Sequence, residues 1–261
     1  MHGLGNDFVI LDGRLDSIVM TPALARELSD RHLGVGCDQL ILLGPSDTAA
    51  LRMDIWNADG SPAESCGNAL RCVVALTGAP TIETEGGLVE GSADGAEVSV
   101  SMPEPRFGWD DIPLAYPMDT NRLPMAWEEL GHPMALSVGN PHLVFFVDTV
   151  DELRLRNLGP GIESDPAFPD RINVNVARIE DEHRLTLRTW ERGAGLTLAC
   201  GTGACATAVA AIVQKKAVSP VRVDMKGGSL TVEWAPGQPI RMSGSATHVF
   251  AGEIELEAFG Q

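Results

Sequence analysis

The chain has 261 residues, 44% of them hydrophobic and 5% aromatic, enough to bury a sizeable core as one large domain or two small ones without disulfide or metal staples. Its 36 acidic residues outnumber 19 basic ones for a net charge of −17, a surface that repels phosphate backbones, so no nucleic-acid partner is expected. The most apolar stretch, Ala204 to Val213, is too short to span a membrane.

The opening Met1-His2-Gly3-Leu4-Gly5-Asn6 shows no basic region followed by an apolar run, so no secretory signal is expected, and the first element is the Gly5-Asn6 turn. Cys37 sits in a Gly34-Val35-Gly36-Cys37 turn, and residues 65–72 read SCGNALRC, a Cys-Gly turn that opens a helix. Glu97 to Met102 alternates with period two and reads as a strand. Five prolines between Pro103 and Pro124 (103, 105, 113, 117 and 124) read as a join between two parts. A second Gly-Asn turn follows at Gly139-Asn140, then an alternating strand from Arg184 to Trp190 and a short lead-in strand from Leu196 to Ala199. Residues 199–206, ACGTGACA, open a helix from Gly203 to Lys215 that is apolar on all sides and therefore buried. Thr247 to Glu257, alternating at its end, is expected to be a last strand that returns to complete the first half.

Aligning the two Cys-Gly segments gives a shift of 134, from Cys66 to Cys200. The same shift carries Gly5-Asn6 onto Gly139-Asn140, Gln39 onto Asn173 and Trp56 onto Trp190. Gly86-Gly87 and Gly227-Gly228 match at 141, from Gly86 to Gly227, as a small insertion would require. Several ungapped matches at one shift point to gene duplication. The expected fold class is mixed α/β (α+β), with two pseudo-symmetric halves, each a mostly antiparallel sheet curled around a central buried helix. The halves are expected at residues 1–105 plus 247–261 and at 106–246.

Cys66 and Cys200 each precede a glycine at the start of a helix. Unpaired N–H groups and the partial positive charge there favour a thiolate. Cys37, Cys72 and Cys205 read as ordinary packed thiols. Face-to-face closure of the halves would set Cys66 and Cys200 on opposite sides of one cleft. One, as thiolate, would remove a proton from carbon; the other, as thiol, would return one from the opposite face. Gly67-Asn68 and Gly201-Thr202 would supply donors for a carboxylate beside the reacting carbon. A disulfide between the two thiols is the competing reading, disfavoured in a reducing cytoplasm. Gly201-Thr202-Gly203-Ala204-Cys205-Ala206 loosely matches a dinucleotide fingerprint, but the first half lacks its second glycine. The three lysines (Lys215, Lys216 and Lys226) lie late in the chain in polar or Gly-rich surroundings, poorly suited to pyridoxal phosphate. The six histidines form no ligand-spaced metal cluster. Cofactor-free catalysis leads, and an amino-acid receptor using the same cleft stays open.

The segments MHGLGNDFVILD (1–12), DQL (38–40), WNADGSPAESCGNALRC (56–72), GNPH (139–142), NVNVA (173–177) and WERGAGLTLACGTGACA (190–206) resemble diaminopimelate epimerase across nearly the whole chain. The resemblance implies an isomerase with no cofactor and no metal. It would interconvert LL- and meso-2,6-diaminoheptanedioate in lysine and peptidoglycan precursor synthesis in the cytoplasm. It implies a small amino-acid substrate as partner, no membrane, and an assembly compatible with a homodimer. By the same resemblance Cys66 and Cys200 are the acid/base pair, with His142 and Glu191 beside them. Asn6, Gln39, Asn57, Gly67, Asn68, Asn140, Asn173, Glu191, Arg192, Gly201 and Thr202 would bind substrate. Arg192 suits a buried carboxylate, and Glu191 an ammonium group. Each has a plainer reading as well: Asn6 as a turn residue, His142 as a strand-edge histidine, Glu191-Arg192 as an exposed charge pair. Trp56 and Trp190 read as core packing. Leu196 stands where the family often carries Glu.

Overall fold

The computed structural model describes residues 1–16, 18–63, 66–95, 97–151 and 153–259. Glu64 and Ser65, which lead into Cys66 in the quoted motif, lie outside the described residues. The chain divides into two compact units, Met1–Val100 with Gly244–Gln261, and Ser101–Ser243. Among the described residues, no helix is long and apolar enough to cross a membrane.

The first unit contains β1 (His2–Gly3), β2 (Asn6–Asp12), α1 (Pro22–Ser29), β3 (Gln39–Gly44), β4 (Leu51–Asn57), β5 (Pro62–Ala63), α2 (Gly67–Thr77), β6 (Thr81–Thr84), β7 (Gly87–Asp94) and β8 (Glu97–Met102). Across its sheet the order is β1-β2-β3-β4-β6-β7-β8, with β5 added beside β4. Pairing is antiparallel except at β2/β3 and β4/β6. Helix α2 packs against both β1 and β7, distant strands in that order, so the sheet is curled. Its residues 67–74 are buried, and Gly78 ends it in the left-handed conformation (φ 68°) that glycine adopts at no steric cost.

The second unit contains the β9/β10 ribbon (Ala126–Trp127, Leu130–Gly131), β11 (Met134–Ser137), β12 (Pro141–Phe146), α3 (Leu155–Glu163), β13 (Asn173–Asp181), β14 (Arg184–Glu191), β15 (Gly195–Leu196), α4 (Gly201–Val213), β16 (Val221–Met225), β17 (Gly228–Glu233) and β18 (Ile240–Ser245). Its order, β11-β12-β13-β14-β16-β17-β18 with β15 beside β14, repeats that of the first unit. The registers repeat as well. Phe8 pairs Gln39 as His142 pairs Asn173, and Leu40 pairs Trp56 as Val174 pairs Trp190. Trp56 opposes Pro62 as Trp190 opposes Leu196. Beyond the helices the 141 shift takes over, with Thr84 opposite Gly87 and Met225 opposite Gly228.

Helix α4 packs against β11, β12, β13, β14, β16 and β17. Its small Ala and Gly residues let six strands approach, and the alanines keep good helix propensity. It begins at Gly201 rather than Gly203 and stops at Val213, because Lys215 turns left-handed (φ 57°).

Other sequence expectations change as well: the lead-in strand expected from Leu196 to Ala199 is Gly195–Leu196 alone. Thr247 to Glu257 is not a strand. Thr247 makes one antiparallel bridge to His2, and the rest runs irregularly to a 3₁₀ turn at Leu256–Ala258. Its alternation records packing instead: Ile254 and Leu256, with Phe259, lie against Leu24, Leu28, Cys37 and Leu40. The Pro-rich segment also feeds the core, with Ile112, Leu114 and Leu123 buried in the second unit.

Candidate active site

Each unit carries a cluster of the expected site residues at the start of its buried helix. Gly5 and Gly139 turn the chain with φ of 88° and 100°, values open to glycine without the Cβ clash. The Asn6 and Asn140 side chains that follow reach the residues at the starts of α2 and α4. Cys66 and Cys200 are the N-caps, both extended, with φ/ψ of −147°/108° and −124°/115°.

In the first unit the Cys66 Sγ–H donates to Asn6 Oδ1 across 3.8 Å, and Asn68 Nδ2 donates to the same oxygen at 3.3 Å. Gly67 is buried beside them. Asn68 is held by the fully buried Arg71, whose guanidinium donates to Asn68 Oδ1 (2.8 Å) and to the Gly67 carbonyl (3.3 Å). Asn6 Nδ2 donates to Asp38 (3.1 Å), and Arg31 bridges Asp38 and Asp7. The Arg31 guanidinium holds the Asp7 carboxyl down to about 2. Gln39 and Asn57 oppose each other on β3 and β4, Gln39 Nε2 donating to Asn57 Oδ1 at 2.9 Å.

In the second unit Cys200 is buried, and its sulfur takes the capping role, accepting the Gly203 N–H at 3.3 Å. Thr202 Oγ1 lies 3.5 Å from the same sulfur, and Asn140 Nδ2 donates to that hydroxyl at 3.4 Å. Burial, then the neighbouring Glu191 charge, pushes the Cys200 thiol well up. Burial also raises the Glu191 carboxyl, against hydrogen bonds from Thr197 (2.5 Å) and Cys200 that lower it. Burial thus favours the neutral form of both groups. His142 is sealed from solvent, between Asn140 Oδ1 (2.9 Å) and Asn175 Nδ2 (3.0 Å). Burial, with the Arg192 charge, lowers its imidazole to about 3, so it is neutral. The Asn173 amide is taken up by main chain, accepting from Arg192 N (2.9 Å) and donating to Pro141 O (2.9 Å). The Arg192 side chain is exposed and donates to the Asp170 carbonyl. Gly201 is buried in the first turn of α4.

Several participants were not among the expected site residues. Asp38 and Arg31 orient Asn6. Asn175 and Thr189 oppose each other on β13 and β14 under His142. Glu163, buried at the end of α3, accepts from Trp190 Nε1 (2.7 Å) and Gly193 N (3.0 Å), holding the turn after Glu191. Cys37, Cys72 and Cys205 are buried, and burial lifts the Cys72 thiol to about 12, leaving it inert near neutrality. Leu196 packs against the second unit's apolar core beside Trp190.

Gly203 is where this cluster is tightest. A Cβ there would lie 2.5 Å from Asn175 Oδ1, 3.0 Å from Thr189 Oγ1 and 3.3 Å from Cys200 Cβ. Gly203→Ala is expected to cost about 1–3 kcal/mol of stability by overpacking. A denaturant midpoint equal to that of the parent would contradict this.

A family model described as "Diaminopimelate epimerase" matches residues 1–107 and 134–249. A diaminopimelate epimerase of Rhizorhabdus wittichii is 62% identical over 100% of this chain and 96% of its own length. One of Sphingopyxis alaskensis is 56% identical over 100% and 97%. Among solved structures, a probable proline racemase of Agrobacterium radiobacter with bound carbonate aligns with a TM-score of 0.66. Its identity is 16%, over 98% of this chain and 91% of that one, a likeness of fold.

Proposed function

The chain belongs to the diaminopimelate epimerase family, and from that premise we propose that it interconverts LL- and meso-diaminopimelate without a cofactor, using Cys66 and Cys200 as paired acid and base. Members of this family are isomerases, and so is this protein. The observation that carries the two-thiol reading is the equivalence of the cysteines: each caps the buried helix of its unit, in matching registers.

In the proposed reaction one cysteine, as thiolate, takes the α-proton and becomes a thiol. The electron pair left on carbon delocalises into the adjacent carboxylate. The other thiol gives its proton to the opposite face of that carbon and becomes the thiolate. No atom or electron is gained overall, and the two sulfurs have exchanged states. The helix N-termini beginning at Gly67-Asn68 and Gly201-Thr202 offer N–H groups to the charge developing on the carboxylate. Glu191, whose charge bears on Cys200, would take up or return the proton of that thiol. Asn6, Gln39, Asn57, Asn140, Asn173 and Arg192 complete the substrate-binding set of this proposal. It works in the cytoplasm, where thiols stay reduced, supplying lysine and cell-wall precursors.

Incubating the reduced protein with LL-diaminopimelate in deuterium oxide tests the reading. Solvent deuterium should enter an α-position as the meso isomer forms. Absence of label in both isomers would rule the reaction out.

A further inference from the structure

The matched asparagines Asn6 and Asn140 turn opposite ends of their amides toward the thiol side, and their neighbours decide which end. A carboxylate only accepts, so Asn6 aims its nitrogen at Asp38, and its oxygen is left for Asn68 and Cys66. In the second unit the order starts at a carbonyl. The Leu143 oxygen also only accepts, so Asn175 aims Nδ2 at it (3.0 Å), while the Thr189 hydroxyl donates to Asn175 Oδ1 (3.0 Å). The other hydrogen of that Nδ2 points at His142 Nδ1 (3.0 Å), which must accept it. A neutral imidazole then carries its one hydrogen on Nε2. That hydrogen goes to Asn140 Oδ1 (2.9 Å), so Asn140 Nδ2 faces Thr202 Oγ1 (3.4 Å). The Thr202 hydroxyl, accepting from Asn140, keeps its own hydrogen for Cys200 Sγ (3.5 Å), the direction the proposal takes, and Gly203 N–H also arrives there.

The duplication supplies a control for this chain of bonds. At the 134 shift, His142, Asn175 and Thr189 correspond to Phe8, Ile41 and Ile55, all buried in the first unit's core. Gly203, which makes room for Asn175 and Thr189, corresponds to Ala69. The same strands in the same register are satisfied by apolar side chains, so the buried polar trio is not a requirement of the fold. Buried polar groups are costly unless fully paired, and here the pairs run in one direction.

We propose that Asn175 is a positioning residue that sets the direction of this relay, so that hydrogens are aimed at the sulfur of Cys200 while an acceptor is aimed at Cys66. The two thiols are thereby unequal in the resting enzyme despite their common origin. The proposal rests on the acid/base reading of the two cysteines. Other groups also bear on Cys200: Glu191 beside it opposes ionisation, and Arg156, Arg188 and Lys226 line the same crevice. Donors from Thr202 and Gly203 work against the burial and the Glu191 charge, which still hold the thiol up.

The test follows Cys200 ionisation through the pH dependence of its alkylation by iodoacetamide, in a Cys66→Ala background, and the His142 tautomer by ¹⁵N NMR. Asn175→Leu and Thr202→Val should each slow Cys200 alkylation about tenfold at a fixed pH below the midpoint, as loss of one charge-assisted hydrogen bond would do. Thr202→Ser should restore the parent profile. The Nε2–H tautomer should persist in Thr202→Val and be lost in Asn175→Leu. Asn175→Asp, an isostere that covers poor folding of the leucine variant, should move the hydrogen to Nδ1 and slow alkylation likewise. Parent profiles and an intact Nε2–H tautomer in the Asn175 variants, or equal slowing in Thr202→Ser and Thr202→Val, would overturn the proposal. Neither readout needs substrate, so its failure is distinct from failure of deuterium exchange.

Discussion

Replacing either Cys66 or Cys200 with alanine is expected to lower epimerisation on the order of 10³-fold or more, the scale of losing a positioned acid or base. Both replacements are expected to fold. Cys66 makes no side-chain cap hydrogen bond to α2, so its loss should barely move the denaturant midpoint. Cys200 accepts the Gly203 N–H, and alanine there should cost about 1 kcal/mol as a lost cap. Substrate binding, measured by calorimetry, should survive in both. The expected pattern is thus two inactive variants, one with parental stability and one slightly weakened. Near-normal turnover in either would end the two-thiol proposal, because a single base cannot both remove and replace a proton on opposite faces of one carbon.

The second large effect is acid sensitivity of the second unit. His142 is neutral in the fold, lowered to about 3 by burial and by Arg192, against about 6.5 for an exposed histidine. Between those values the unfolded chain binds a proton that the folded chain does not. Stability is therefore full above about pH 6.5 and falls with acidification, by up to about 1.4 kcal/mol per pH unit. Glu191 acts in the opposite sense. Its raised carboxyl is easier to bury once protonated, so it recovers some stability as the pH falls. Asp7 and Asp224, each held to about 2, lose stability only below the usual carboxylate range. The window from pH 6.5 to 4.5 therefore belongs mainly to His142. Urea midpoints across it should fall in the parent and change less in His142→Gln. Tryptophan fluorescence reports chiefly on this unit, which holds Trp109, Trp127, Trp190 and Trp234, while the first has Trp56. Equal slopes in parent and variant would refute this.

The duplication is legible in the sequence because its offset is also a register. The shift that aligns Cys66 with Cys200 is the one at which Leu40/Trp56 and Val174/Trp190 occupy the same ladder positions. The shift stays at 134 from the first Gly-Asn turn to the start of the helix, so the ladders before it keep one register, and it changes to 141 only beyond the helix. The two caps were legible for a similar reason, since a Cys-Gly pair before an Ala-rich run is a local signal. Asn175 and Thr189 were not. In NVNVA and RLTLRTW a polar residue at every second position reads as a solvent-facing side, whereas both faces of β13 are covered where it runs beneath α4. Asp38 lies within the DQL segment, but its role was hidden because its partner Asn6 is 32 residues away; Glu163 was hidden likewise, 27 residues from Trp190. The Thr247 to Glu257 segment shows the converse error. Period-two alternation reports that one side is half-buried, and Ile254 and Leu256 are, but it cannot report whether a neighbouring strand is there to pair.

That closing segment also orders the protein's birth on the ribosome. The second unit is a continuous run, Ser101–Ser243, and has every residue it needs once that run has emerged. The first unit emerges earlier yet waits longest. The partner of His2 is Thr247, and the cover for Leu24, Leu28 and Leu40 is Ile254, Leu256 and Phe259. Until Ile254, Leu256 and Phe259 clear the exit tunnel, the apolar surface they cover stays open, so the unit carrying Cys66 closes only after that distant segment is made.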